Sequence, residues 1–430
     1  VRSKVLLLST VFPNSAQPVH GVFVRERMRG LPADLEVRVV APAPWFPLVS
    51  GLRAGLRPRV PAREVQDGVE VLHPRFLSVP GIGKCLDGVF LFLSLLPVLM
   101  RLRWRFQFEV IDAHFTYPEG LAAVLLGKVF KVPVVITERG TLPLLARFRL
   151  RRPQLRFALR HADRVVAVSE SLRRDAIGLG REGVRVIENG IDGEVFRAID
   201  REAARCVLSL LEGCPSPAPG RTTREPLLVS VGTLAPRKGF HLVIEAMFHL
   251  VERFPGIRFA MVGGAGPEGA MEKELRGLAE KLGVADRVIF TGPRSREELY
   301  LWYSAADVFV LASAHEGCPN VVLEALACGT PVVATPVGNI PQILTPKVGI
   351  LADRDIPALT MALAEALDRT WDREAIQSRI RSRTWQAVGL EAAEEIRAAL
   401  SLAYTEEPSR DRRRPQAPLA GKSAKAGVAQ

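Results

Sequence analysis

The sequence predicts an α/β fold of two doubly wound parallel-sheet domains that face each other across a cleft. Three observations carry that expectation. Short β-branched apolar runs alternate with helix-like segments through residues 1–211. The alternation stops at 212–226, a stretch rich in Pro, Gly and Thr, and restarts over 227–372. A chain of 430 residues also has room for two domains.

In the first domain, "KVLLLS" (4–9), "EVRVVAP" (36–42), "VIDAHF" (110–115), "VPVVITE" (132–138), "ADRVVAVS" (162–169) and "VRVIENG" (184–190) read as buried strands. Each is apolar, β-branched and bounded by Gly, Pro or polar residues. "EGLAAVLLGKVF" and "SESLRRDAIGL" read as the helices between them, the second with an N-cap in Ser169-Glu170-Ser171. The first run, basic and then apolar, reads as a buried strand rather than a signal peptide. Strands alternating with helices imply a parallel sheet covered on both faces.

The second domain repeats the plan. "LLVSVGTL" (227–234), "IRFAMVGG", "RVIFTG", "DVFVLAS" and "TPVVATP" are its strands, with helices between and one opening over 319–328. Residues 373–405 read as C-terminal helices expected to pack back on the first domain, and 406–430 as a basic disordered tail.

Composition narrows the function classes. Apolar residues make up 48% and charged residues 24%, an ordinary globular balance with ample core. The net charge of +12 suits an anionic partner. No nucleic-acid-binding motif accompanies it, so phosphorylated small molecules or an anionic membrane surface are preferred. The five cysteines show no paired metal spacing, which points to a reduced, cytoplasmic protein without a metal site.

Ligands of open α/β sheets bind beyond the strand C-terminal ends, so the loops there are the candidate site. "DVFVLAS" ends at Ser313, which puts Glu316 and Gly317 just past a strand. Pro319 and Asn320 open the next helix, which stops at Gly329. Its N-terminus favours an anion. Glu324, about one turn in, is placed to accept hydrogen bonds from vicinal hydroxyls such as those of a ribose. A solvated loop charge and a surface helix residue are the alternative from spacing alone. In "VGTLAPRKGF", Arg237 and Lys238 sit between a strand and a helix, with the charge to hold a diphosphate. "MVGGAGP" departs from the dinucleotide fingerprint and reads only as a tight turn. On the first domain, Gly21 opens a helix after a long loop, where backbone can approach phosphate or sugar. His114 follows a strand.

The stretch "EGCPNVVLEALACGTPVVAT" resembles the E-x7-E signature of the retaining family 4 glycosyltransferases. The order "HGVFVRE", "DAHFTYPEG", "ENGID", "VGTLAPRKGF" is similar as well. The resemblance covers nearly the whole ordered chain and implies a GT-B fold. It implies a nucleotide-sugar co-substrate, a UDP- or GDP-sugar, held mainly by the second domain. Glu316 would then lie against the donor sugar and Glu324 would hold the ribose. His114 would contact the donor sugar; Arg237, Lys238, Gly21, Gly317 and Asn320 would bind the donor. It implies retention of configuration without a metal cofactor. Two departures stand out: Thr233 where many members carry Arg, and Arg139 in "TERGT" where His is usual.

The apolar run 88–100 is shorter than the ~18 residues of a spanning helix. However, 90–106 and 144–164 mix Arg with Phe, Leu and Trp, the second with seven arginines and one aspartate. Such segments suit peripheral contact with an anionic membrane, and a saccharide or lipid-linked saccharide acceptor at its inner face. The expected function is sugar transfer in cell-surface polysaccharide assembly. A nucleotide-sugar 2-epimerase of the same fold is disfavoured by E-x7-E with "PRKG". A non-catalytic binding subunit is disfavoured by intact Glu316, Glu324 and Lys238.

Overall fold

Apolar runs become strands wherever both sheet faces are covered, and here they build two sheets. A computed structural model describes residues 2–46, 60–209, 225–266 and 271–406. The first sheet uses β1 (Ser3–Leu8), β2 (Leu35–Val40), β4 (Arg63–Gln66), β5 (Val69–Leu72), β7 (Val110–His114), β8 (Val134–Glu138), β9 (Arg164–Ala167) and β10 (Arg185–Val186). Their order is β10-β9-β8-β7-β1-β2-β5-β4. Every pairing is parallel except β4 with β5. Two further strands, β3 (Ala43–Trp45) and β6 (Arg75–Leu77), pair beside it. The second sheet uses β11 (Leu227–Val231), β12 (Arg258–Val262), β13 (Val288–Gly292), β14 (Val308–Leu311), β15 (Val332–Ala334) and β16 (Gly349–Leu351). It is wholly parallel, in the order β13-β12-β11-β14-β15-β16.

Strand order reverses between β1 and β7 in the first sheet and between β11 and β14 in the second. Such switch points open crevices at the strand C-termini. The loops there are 9–21, 115–120, 232–239 and 312–319, and they contain or adjoin most residues singled out above.

The C-terminal stretch is not one continuous helix. It is two, Arg373–Ile380 and Trp385–Glu406. Between them the chain crosses from one unit to the other beside the first crossing: Ile191 N–H donates to Arg383 O at 2.8 Å, and Ile191 bridges Thr384. Backbone pairing at the crossing competes with helix continuation and wins. Trp385, Val388, Ile396 and Leu400 then pack on Val5, Val110, Val135 and Val166 of the first sheet. Each such buried side chain contributes roughly 1.5–3 kcal/mol of transfer free energy. Glu395, buried on that helix, accepts from Arg164 (2.7 Å) and Arg185 (3.1 Å).

The helix Arg201–Val207, expected in the first domain by a boundary at 211, packs on the second unit instead. Arg201 and Arg205 both reach Asp307 at 2.6 Å, and the Leu227 N–H donates to the same carboxylate at 2.8 Å. The expected linker falls outside the described residues except for 225–226, and so does the tail beyond 406. Among the described residues Cys85, Cys318 and Cys328 are free, whereas Cys206 is disulfide-bonded, against the expectation of a fully reduced chain.

The apolar run near residue 90 also differs from expectation. A 3-10 turn, Gly81–Leu86, leads into the helix Asp87–Arg103. Together they form 23 residues long and apolar enough to cross a membrane by length and composition. Leu91, Leu95 and Leu99, one turn apart, are buried in the core.

Candidate active site

On the second unit, three loops distant in sequence are clipped together. The Ala314 N–H donates to Arg237 O at 2.7 Å, and Arg354 donates to Ala312 O (3.0 Å) and Pro236 O (3.2 Å). This brings the short turn Pro236–Lys238 against the loop after β14. Lys238 Nζ donates to Glu316 Oε1 at 2.5 Å, and Ser313 Oγ donates to the same oxygen at 2.8 Å. Arg237 Nη1 stands 3.6 Å away. The Lys238 and Glu316 side chains are only 11% and 12% exposed, so the pair lies in a partly desolvated site. Glu316, Arg237 and Lys238 are thus one cluster.

The helix Asn320–Ala327 begins beside that cluster, and no side chain caps it. Among the described residues no side chain accepts from its first-turn N–H groups, as an anion site requires. Glu324 sits one turn in, where Oε2 accepts from Tyr303 OH at 2.7 Å. Burial pushes its carboxyl up, against the pull of Tyr303 and Arg296. It lines a small crevice between the units with Asp192, Phe196, Arg296 and Trp385. Glu316 and Glu324 therefore have different surroundings, one salt-bridged and one facing the crevice.

The first unit supplies the opposing wall. His114, at the end of β7, is fully buried. Arg27 Nη1 lies 2.6 Å from Asp112 Oδ2 and 3.1 Å from His114 Nε2. Arg139 Nε lies 3.2 Å from His114 Nδ1. Burial, with both guanidiniums, holds the imidazole down at about 3, although Asp112 pulls the other way. Burial would raise Asp112, but Arg27 and His114 outweigh it and hold the carboxyl well below the usual range. Gly21 takes φ +79° ahead of the helix Val22–Arg29, and a Cβ there would stand 2.3 Å from Val11 O.

The two walls touch. A Cβ on Gly317 would stand 2.3 Å from Arg139 O. His315 Nε2 lies 2.7 Å from Gly140 O, and Asn189 Nδ2 donates to Asn320 Oδ1 at 2.7 Å. Asn320 thus binds the opposing unit here. The loop 139–142 is held by Glu138, whose Oε1 accepts from the N–H groups of Gly140, Thr141 and Leu142 at 2.9–3.2 Å. Its Oε2 accepts from Thr116 N–H and Oγ.

Sequence reasoning did not single out Arg27, Asp112, Glu119, Glu138 or Asn189. Glu119 accepts from Thr10 N–H at 2.9 Å and is pushed up to about 7 by burial. Its place in "DAHFTYPEG", just past a strand, was a usable signal. Arg27 has no such signal, because it is one basic residue of a basic helix. Among the described residues, no three His, Cys, Asp or Glu side chains form a group that could hold a metal ion.

Residues 20–195 match the family described as Glycosyltransferase Family 4, and 216–383 match Glycosyl transferases group 1. A D-inositol 3-phosphate glycosyltransferase of Xylanimonas cellulosilytica is 31% identical over 71% of this chain and 75% of that protein. TuaC of Bacillus subtilis, named as a glycosyltransferase of teichuronic acid biosynthesis, is 29% identical over 85% of this chain and 88% of its own. Other matches are shorter: the D-inositol 3-phosphate glycosyltransferase of Mycolicibacterium smegmatis is 34% identical, with 46% of its length matched. The chain thus spans about half the length of that relative. Sucrose-phosphate synthase of Thermosynechococcus elongatus superposes with a TM-score of 0.74 at 20% identity, over 93% of this chain and 100% of that one. Anabaena HepE, solved with UDP, superposes with 0.67 at 19%, over 92% and 100%. These likenesses establish the GT-B fold.

Proposed function

Since the chain belongs to the family 4 glycosyltransferases, we propose that it moves a sugar from a nucleoside diphosphate sugar to a saccharide or lipid-linked saccharide acceptor, with retention of configuration and without a metal. The observation that carries this reading is the Lys238–Glu316 pair at 2.5 Å, with Arg237 beside it, next to an uncapped helix N-terminus. A departing diphosphate needs positive charge where its own negative charge develops. Lys238, Arg237 and the N–H groups of the helix Asn320–Ala327 supply it. Glu316 lies against the transferred sugar, and Glu324 takes the ribose hydroxyls. Gly21, Gly317 and His114 line the sugar side, and Asn320 opens the helix between them. HepE has been solved with UDP-glucose, which supports a nucleotide-sugar donor here. TuaC supports an acceptor in cell-surface polysaccharide assembly.

Thermal shift against a panel of UDP- and GDP-sugars tests the reading, since a ligand stabilises by its occupancy of the folded state. One nucleotide sugar is expected to raise the unfolding temperature and to be consumed when acceptor is added. No shift and no consumption with any of them would remove the reading. Excess EDTA is expected to leave turnover unchanged, because the guanidinium, the ammonium and the helix take a metal's place. Loss on chelation, restored by Mg²⁺ or Mn²⁺, would overturn the metal-free mechanism.

The acceptor is reached at the inner face of a membrane, to which the first unit attaches peripherally. Ile82 (84% exposed), Trp104 (89%), Phe148 (56%) and Leu150 (60%) are apolar side chains in solvent, and arginines stand among them. Each basic residue near an anionic surface contributes about 1 kcal/mol at most, screened within roughly 8–10 Å. Replacing Arg147, Arg149 and Arg152 with Ser is therefore expected to weaken binding to anionic vesicles without affecting donor binding. Arg151 is left in place because its guanidinium stacks on Phe148. The sequence after Glu407 is itself basic, so the comparison is made on a chain ending there. If that chain ignores anionic vesicles at low salt, the acceptor is soluble.

A further inference from the structure

We propose that Arg139 is a positioning residue: it holds the His114 ring in a single neutral tautomer and ties that ring to the second unit, so the ring is set while the two walls of the cleft touch. The glycosyltransferase reading is needed only for what the ring serves. The tests below read the ring itself.

Arg139 Nε and Nη2 lie 3.2 and 3.1 Å from His114 Nδ1. A guanidinium donates and never accepts, so Nδ1 must be the acceptor and the ring hydrogen sits on Nε2. That N–H faces Asp112 Oδ2 at 3.6 Å. Arg27 Nη1, 3.1 Å from Nε2, donates to the same oxygen at 2.6 Å. Two donors that face each other are reconciled because both aim at one carboxylate oxygen. A second ring proton would point at Arg139 and is excluded by charge as well as by geometry. The charged and titratable groups facing the ring and its clamp are Arg27, Asp112, Arg139, Glu138 and, across the cleft, the Cys318 thiol.

Arg139 is also linked to the other unit, through Asn189. Nη1 donates to Asn189 Oδ1 at 2.8 Å, and Asn189 Nδ2 donates to Asn320 Oδ1 at 2.7 Å and Cys318 O at 3.3 Å. A continuous chain of hydrogen bonds therefore runs from the imidazole to the first residue of the helix that carries Glu324. Arg139 is 9% exposed, and its hydrogen-bond partners among the described residues are neutral. A buried guanidinium without its own carboxylate is costly for stability. A neutral side chain would fill the same space at lower cost, which argues for a role beyond packing. In this arrangement the His114 ring is a fixed part of the wall rather than a source of an exchangeable proton.

The test is the imidazole ¹⁵N spectrum from pH 5 to 9, with His114→Gln identifying the resonance. The wild-type ring is expected as the Nε2–H tautomer at every pH. Arg139→Met removes the donors and keeps the bulk. In that variant nothing fixes Nδ1 as the acceptor, so the ring is expected to show mixed tautomers, while its burial and Arg27 still hold its titration down. Turnover at pH 7 should fall on the order of tenfold, as for one charge-assisted hydrogen bond, while the donor KM stays within about twofold. A wild-type ring that titrates between pH 5 and 8, or carries its hydrogen on Nδ1, would overturn the proposal. So would an Arg139→Met spectrum matching wild type. If Arg139→Met does not fold, the wild-type spectrum still decides the tautomer and Asn189→Ala decides the tie. Mixed tautomers are expected in Asn189→Ala, and an unchanged spectrum refutes the coupling. A protein that binds no nucleotide sugar would fail the functional reading and leave these spectra as they are.

Discussion

Gly317→Ala is expected to lower turnover on the order of a hundredfold while both sheets stay folded. The added Cβ would stand 2.3 Å from Arg139 O and 3.2 Å from Gly140 Cα. Both are backbone atoms of the opposing wall, and the loop that carries them is held by the Glu138 carboxylate. Neither side can give way by rotating a side chain, so the units must part. A displacement of about 1 Å between reacting groups is enough to cost roughly a hundredfold in rate. The measurements are turnover, thermal unfolding and the radius of gyration in solution. Gly277→Ala is the control, since nothing lies within 4 Å of its Cβ. If Gly317→Ala retains turnover within about threefold, contact between the units at this point is not required for the reaction.

Lys238→Ala is expected to weaken both donor binding and turnover by about 1.5–3 kcal/mol, roughly 10- to 150-fold. The structure adds a second reason to the charge itself. Without the ammonium, Glu316 keeps the Ser313 hydroxyl at 2.8 Å, but among the described residues the remaining cation beside it is Arg237 at 3.6 Å. The carboxylate would then face the incoming diphosphate less neutralised. Lys238→Arg should restore part of the loss, because a guanidinium keeps the charge but not the compact geometry. Donor affinity by calorimetry and kcat/KM by transfer assay decide the matter. Unchanged values for Lys238→Ala would remove this side chain from phosphate binding.

These two residues were legible in the sequence for different reasons. Lys238 stood out because it is adjacent to Arg237 after a strand, and Gly317 because it adjoins Glu316 past another. What each touches was not legible. The hydrogen bond between Lys238 and Glu316 spans 78 positions, and Arg139 meets Asn189 across 50. Arg27 and Asp112, 85 apart, are a buried ion pair that nothing local in either segment announces. Where the helices Arg373–Ile380 and Trp385–Glu406 part was also hidden, because the break comes from backbone pairing with Ile191 rather than from a helix-breaking residue.

The sequence by itself determined the parallel centre of each sheet and the loops that hold the site, though not β3 to β6, β16 or the antiparallel β4–β5 edge, because periodicity and turn chemistry act over a few neighbouring residues. Only the tertiary structure decided which loops meet, that His114 is buried between two arginines, and that the helix Arg201–Val207 packs on the second unit. Those outcomes depend on desolvated charges finding partners and apolar faces finding cover across tens to hundreds of positions, and no local pattern records which partner is reached.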